Sequence, residues 1–286
     1  MQNLADAFHV AKSSAASNDG REGFSAMVKS HYDADYYSSF RSESAGAAAK
    51  ILEFLYPAHP FQSVVDIGCG SATWLTAAKN LIEKMGKAPY LVGIDGAYAK
   101  HIVPSDVAQF IFVDLELPLQ FTQKFDLALC LEVAEHLTSS RAGSLVHDLC
   151  QASDTVVFSA AIPGQGGTDH INEQYQEYWH TLFSSEGYIA IDAFKQAFWN
   201  DPLFARCPYY ASNSLIYTKD RTLAARLNCP IVPIGHWSLR SVHPNIFYDN
   251  SFEAAGFAKV CAFAPSKFRR AVSNKLKAAF KNKGEP

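Results

Sequence analysis

Apolar residues in this chain fall into short, β-branched runs separated by longer stretches with helical spacing. Ser63–Ile67 is the first such run, and Tyr90–Asp95 is the second. Gln109–Glu116, whose strand ends in Asp114, Lys124–Glu132 and Thr155–Ile162 follow it, and Tyr188–Phe194 and Ser212–Thr218 complete seven predicted strands. Between them, Phe24–Tyr56 has a helical pattern that Pro57 stops, Thr73–Met85 is amphipathic, and Asp169–Phe183 is a loop entering an aromatic-rich helix that Gly187 ends. Lys124–Glu132 is apolar at successive positions, as a central parallel strand covered on both faces must be. Alternating strands and helices of this kind predict an α/β fold around one mostly parallel sheet.

The first strand runs into Asp66-Ile-Gly-Cys-Gly70 and then opens a helix. Gly68 and Gly70 let the backbone turn tightly and approach a ligand closely, which suits a nucleotide-like cofactor. The dinucleotide fingerprint has a third glycine three positions later, and here Thr73 stands there. A carboxylate at Asp66 would also repel a pyrophosphate, whereas a positively charged cofactor would be attracted to it. Asp95 ends the second strand and can accept hydrogen bonds from both ribose hydroxyls of a nucleoside, a role common to several nucleotide cofactors.

Composition narrows the class. With 286 residues, 48% of them hydrophobic, the chain can form one large domain with additions, and a net charge of −3 gives no signal for polyanion binding. The six cysteines are scattered without metal-knuckle or redox spacing. No apolar run approaches the about 20 residues of a membrane span, and Met1–Gly20 lacks a signal-peptide core. These features lead to the expectation of a soluble, cytoplasmic protein.

On Asp66-Ile-Gly-Cys-Gly70 with acids at Asp95 and Asp114, the chain resembles class I S-adenosylmethionine-dependent methyltransferases. Over Phe158–Gln174 and Tyr178-Trp179 it is similar to bacterial members associated with glycans and secondary metabolites. The resemblance covers Tyr32–Lys219. It implies a Rossmann-like sheet of seven strands, mostly parallel, in which the last two form an antiparallel pair. It divides the chain into a helical cap (1–60), an S-adenosylmethionine-binding core (61–220) and a C-terminal extension (221–286). It implies that S-adenosyl-L-methionine is held by Asp66, Gly68, Cys69, Gly70 and Trp74, by Asp95 and Gly96, by Asp114 and Leu115 on the adenine side, and by Leu131 and Glu132. The implied activity is methyl transfer to a hydroxyl of a small molecule or glycan, with no nucleic acid as partner.

The fourth strand ends in Glu132-Val-Ala-Glu-His136, and Asp169-His170 follows the fifth. In an open parallel sheet both segments lie beyond the carboxyl ends of strands, facing the same crevice as the glycine turn. The set resembles the site of metal-dependent O-methyltransferases, namely the quinone-biosynthesis enzymes and the small-RNA 2′-O-methyltransferases. Glu132, Glu135, His136 and His170 are then ligands of Mg2+ or Mn2+. Equally open is a metal-free site in which His136 or His170 is the general base, and N-methylation or another sulfonium-dependent alkyl transfer or cyclisation is compatible with the same residues. Tyr32, Tyr36 and Tyr37 either line the substrate mouth or simply pack. Ser266–Lys283 is a basic stretch with Phe268, Val272, Leu276 and Phe280 in helical register, suited to an anionic membrane surface or to packing on its own domain.

Overall fold

The structure is a computed structural model and describes residues 8–10 and 34–246, with side chains from Ser44 onward. The chain divides into two compact units, Met1–His243 and Pro244–Pro286. The first is described below. Tyr32 and the basic stretch Ser266–Lys283 lie outside the described residues, as do the side chains of Tyr36 and Tyr37.

Eight strands form the central sheet: β1 (Ser63–Ile67), β2 (Tyr90–Asp95), β3 (Gln109–Phe112), β4 (Leu127–Leu131), β5 (Thr155–Ser159), β6 (Ile189–Ile191), β7 (Leu215–Thr218) and β8 (Ile231–Val232). Their order across the sheet is β3-β2-β1-β4-β5-β7-β6-β8. β1 to β5 are parallel, while β7 runs antiparallel to both β5 and β6. This is the expected α/β architecture of a mostly parallel sheet with an antiparallel end, and the order of strands reverses between β1 and β4.

Several details differ from the sequence expectation. An eighth strand joins the edge, because Ile231–Val232 leaves the proline-rich segment after Cys229 to pair antiparallel with Ile191 and Ala190. β6 and β7 pair antiparallel, yet helices Ala193–Phe198 and Pro208–Ser212 separate them, so the apolar run Tyr188–Phe194 is part strand and part helix. Periodicity cannot divide so short an apolar run. β3 stops at Phe112, and Leu119–Phe121 instead forms a separate antiparallel ribbon with Phe8–Val10.

Alternate residues of the central strands serve two cores. Val64, Leu127, Leu129 and Leu131 pack on one face against α1 (Ala34–Leu55) and α2 (Thr73–Lys84), through Ile51, Leu52, Leu75 and Ile82. Val65, Ile67, Ala128 and Cys130 pack on the other against α3 (Ala142–Ala152) and α4 (Gln176–Ser185), through Leu145, Leu149, Trp179 and Phe183. Helices on both faces account for the unbroken apolar reading of β4 and leave the strand ends as the place where polar groups collect. Among the described residues no helix is long and apolar enough to cross a membrane.

Candidate functional site

The turn after β1 is built from left-handed backbone. Gly68 has φ +82°, Gly70 +50° and Ala72 +61°. The amides of Gly68 and Cys69 donate to the carbonyl of Ile94 at 2.8 and 3.2 Å, which fastens the turn to the end of β2. A side chain on Gly68 would stand 2.3 Å from Val133 Cγ2, so the turn lies directly against the segment after β4. Cys69 is buried beneath it, and Trp74 is buried against Tyr210, with ring centroids 5.2 Å apart.

Asp95 occupies the same corner. Its Oδ2 accepts from the Gly70 amide at 2.6 Å, and its Oδ1 accepts from the Gly96 amide at 2.6 Å and from the Tyr98 hydroxyl. Burial raises its pKa, and these three donors pull it back down. Asp66 is equally buried, has an Oδ2 without a partner, and is pushed up to about 8 by burial first and by the charge of Asp95 second. Asp114 is instead exposed, two residues beyond β3, with its carboxylate accepting from the Glu116 amide at 3.0 Å. Leu115 is buried. Its carbonyl accepts from Arg141 Nε at 2.8 Å, and Arg141, itself buried, pairs with Asp148, so the loop after β3 is braced from α3.

At the end of β4, Leu131 is buried and Glu132 takes φ +54°, a conformation that costs an L-residue about 1–2 kcal/mol. The Glu132 amide is held by the Ser159 carbonyl at 3.1 Å, and its Oε2 accepts from Gln165 Nε2 at 2.8 Å, while Oε1 has no partner. Burial raises this carboxyl to about 7 against the bonds from Ser159, Gln165 and Asn213. Glu135 is wholly buried, and burial, then the charge of Glu132, pushes its carboxyl well up against the pull of the Glu135 and Ala161 backbone amides.

His170 reaches this place because its loop docks on the turn after β4. The amides of Ile171 and Asn172 both donate to the Glu135 carbonyl, at 2.8 and 3.0 Å. The His136 and His170 rings then meet edge to face, 4.8 Å between centroids. One donor atom each from Glu135, His136 and His170 lies within 4.8 Å of the others. Glu132, expected as a fourth member, is not in this group, since its carboxylate turns to Gln165. Burial, and then the charge of His170, lowers the His136 pKa to about 4, so its imidazole is neutral at pH 7. His170 Nδ1 lies 3.0 Å from Glu173 Oε1, and the two Glu173 oxygens also accept from the amides of Gly166 and Gly164, each at 2.8 Å. A carboxylate oxygen only accepts, so the imidazole donates through Nδ1. Like Glu132, Asp169 is left-handed, with φ +58°.

Gln165, Asn213, Glu173 and Tyr98 were not candidates from the sequence. Glu173 carries the one local signal that points to it, a carboxylate three residues after a candidate histidine. Asn213 arrives from beyond α5 and α6, the helices Ala193–Phe198 and Pro208–Ser212, and donates to Gln165 Oε1 at 2.8 Å, a contact spanning 48 residues.

Two buried carboxyls at this site have raised pKa values. Asp66 and Glu132 hold pKa values of about 8 and 7, so both carry protons over much of the range below pH 7. A ligand bearing a cationic group favours their ionised forms, releases protons on binding, and binds more tightly as pH rises towards 8. The folding sign is the reverse. Folded values raised above the ordinary 3.8 and 4.5 make the free protein most stable at low pH, and stability falls progressively as pH rises from there through the folded values of about 7 and 8. The expected result is that S-adenosylhomocysteine affinity, measured by calorimetry, climbs between pH 6 and 8 with proton release into the buffer. A flat profile with no proton release contradicts it.

No protein-family model and no curated protein matches the chain. Among solved structures, it is similar to magnesium protoporphyrin IX methyltransferase from Synechocystis PCC 6803 with bound SAH, at 14% identity and a TM-score of 0.44, over 68% of this chain and 97% of that one. It is similar to human N-acetylserotonin methyltransferase in complex with SAM, at 13% identity and a TM-score of 0.40, over 71% and 62% of the two chains. It is also similar to a SAM-dependent methyltransferase from Archaeoglobus fulgidus, at 19% identity and a TM-score of 0.41, over 54% and 74%.

Proposed function

We propose that this chain transfers the methyl group of S-adenosylmethionine to a hydroxyl oxygen of a small molecule or glycan. The observation that carries the reading is the meeting of two buried, incompletely partnered carboxylates, Asp66 and Glu132, with a glycine turn and a Glu-His-His cluster at the switch in strand order. S-adenosylmethionine brings an ammonium and a sulfonium, and buried carboxylates lacking partners suit such a ligand. Asp95 can accept from its ribose, and Glu132 Oε1, which has no partner of its own, can accept from its ammonium.

The residues also fit a divalent cation. Glu135 is buried beside two imidazoles, a mixed oxygen and nitrogen set compatible with Mn2+ or Mg2+. Such an ion, when bound, lowers the pKa of a coordinated hydroxyl by several units. Glu135, His136 and His170 would hold it. The chain's own contribution is to align the acceptor oxygen with the methyl group, since positioning supplies much of the rate in such transfers. Glu173 holds His170 Nδ1 and so orients the ring, which leaves Nε2 as the nitrogen that can meet a ligand or a proton.

The departure of Glu132 from the cluster favours a second reading, in which His136 or His170 takes the hydroxyl proton directly, without an ion. Chelation separates the two. Methyl transfer to hydroxylated sugars, phenols and peptides is screened, and the active acceptor is assayed after exhaustive chelation. Under the first reading activity disappears, returns with Mn2+ or Mg2+, and is absent in Glu135→Gln. Undiminished turnover in chelator and in that variant establishes the second, and no transfer to any hydroxyl while amines accept methyl groups overturns O-methylation.

A further inference from the structure

A carboxylate offers about four lone-pair positions, and in this structure Asp95 has three of them filled from its own chain. Two donors are backbone amides, Gly70 and Gly96, fixed by the turns they belong to. The third is the Tyr98 hydroxyl, on the short helical segment Ala97–His101 that follows β2. The tyrosine ring lies flat over Gly96: a side chain there would stand 2.5 Å from Tyr98 Cε1. One position on Asp95 is therefore open, on Oδ2, whereas a ribose presents two neighbouring hydroxyls.

We infer that Tyr98 sets the affinity for the nucleoside by competition, its hydroxyl occupying on Asp95 Oδ1 the place that one ribose hydroxyl must take. The inference rests on the reading of Asp95 as the ribose acceptor. The amides cannot leave without unfolding the glycine turn or the end of β2, but a phenol can leave by rotating its side chain. The ligand's second hydroxyl thus replaces an existing charge-assisted bond instead of adding one, so its net contribution is small. The first hydroxyl, entering the open position on Oδ2, contributes in full.

The test is calorimetric binding of S-adenosylhomocysteine and of its 2′-deoxy and 3′-deoxy analogues to the wild-type chain and to Tyr98→Phe. The variant keeps the ring over Gly96 and loses only the hydroxyl. S-adenosylhomocysteine is expected to bind Tyr98→Phe about five- to twentyfold more tightly, part of the net worth of a hydrogen bond to a charged group. With one of the two deoxy analogues, the one lacking the competing hydroxyl, that gain disappears. Equal or weaker binding of S-adenosylhomocysteine by the variant overturns the inference, as does a gain that persists with both analogues. Failure of the wild-type chain to bind S-adenosylhomocysteine at all defeats the cofactor reading and this inference with it. Binding by the wild type with no gain in the variant defeats the inference alone. The comparison of analogues on the wild type keeps the test decisive if the variant folds poorly: there, removal of the competing hydroxyl is expected to change affinity less than twofold, and a loss of tenfold or more for both analogues overturns the inference.

Discussion

Alanine at Gly68 is expected to destabilise the protein by about 3–5 kcal/mol, combining left-handed strain with overpacking. Its φ of +82° is disfavoured for any L-residue. The added methyl would lie 2.3 Å from Val133 Cγ2 and 2.7 Å from Val133 Cγ1. Val133 is buried and β-branched, so it has little rotamer freedom with which to move away. Its displacement would carry along Glu132, already in a strained conformation, and so disturb both halves of the crevice. Gly86 supplies the control: its φ is +72°, but nothing lies within 4 Å of an added methyl. Gly86→Ala should cost only the backbone strain, about 1–2 kcal/mol. Thermal and denaturant unfolding of the two variants separates strain from collision. Equal losses would mean that the contact between the turn and Val133 is not tight.

Asp95→Ala is expected to weaken S-adenosylhomocysteine binding by about ten- to a hundredfold, the net loss of the one charge-assisted hydrogen bond that a ribose hydroxyl adds at the open position on Oδ2. The same change leaves the Gly70 and Gly96 amides without their acceptor, so the turn loses its anchor along with the ligand. The cost of leaving these two amides unpaired is offset in part, because removing a carboxylate whose pKa burial has raised also removes its desolvation cost. His170→Ala makes the contrast. Its side chain lies in the Glu135–His136 cluster and not at the glycine turn, so cofactor affinity should be kept while turnover is lost. Calorimetry with S-adenosylhomocysteine on both variants, each first shown to unfold cooperatively, decides the matter. Unchanged affinity in Asp95→Ala would place the nucleoside elsewhere.

The strands beside the glycine turn were legible because each is a short apolar run bounded by turn residues. β1 and β2 occur where the pattern puts them, since helices on both faces demand apolar residues at every position. Elements at the edge were less legible. Ile231–Val232 is too short to have a period, and it is a strand only because β6 offers it an open edge. The run Tyr188–Phe194 reads equally well as strand or helix, and contacts with the rest of the fold divide it at Asp192.

For the site, the sequence by itself singled out the candidate residues: the turn at Asp66–Gly70, the acid at Asp95, the Glu132–His136 segment and His170. Those follow from local rules, because a glycine turn after a strand and a carboxylate at a strand end are each written within a few residues. Only the tertiary structure decided how they are grouped. Two amides of the later loop on one carbonyl of Glu135 bring His170 to His136, Gln165 and Asn213 draw Glu132 out of the cluster, and Tyr98 closes on Asp95. The physical reason is the same in each case. The direction of a side chain at a strand end is set by hydrogen bonds from loops distant in sequence, and no local pattern of residues encodes them.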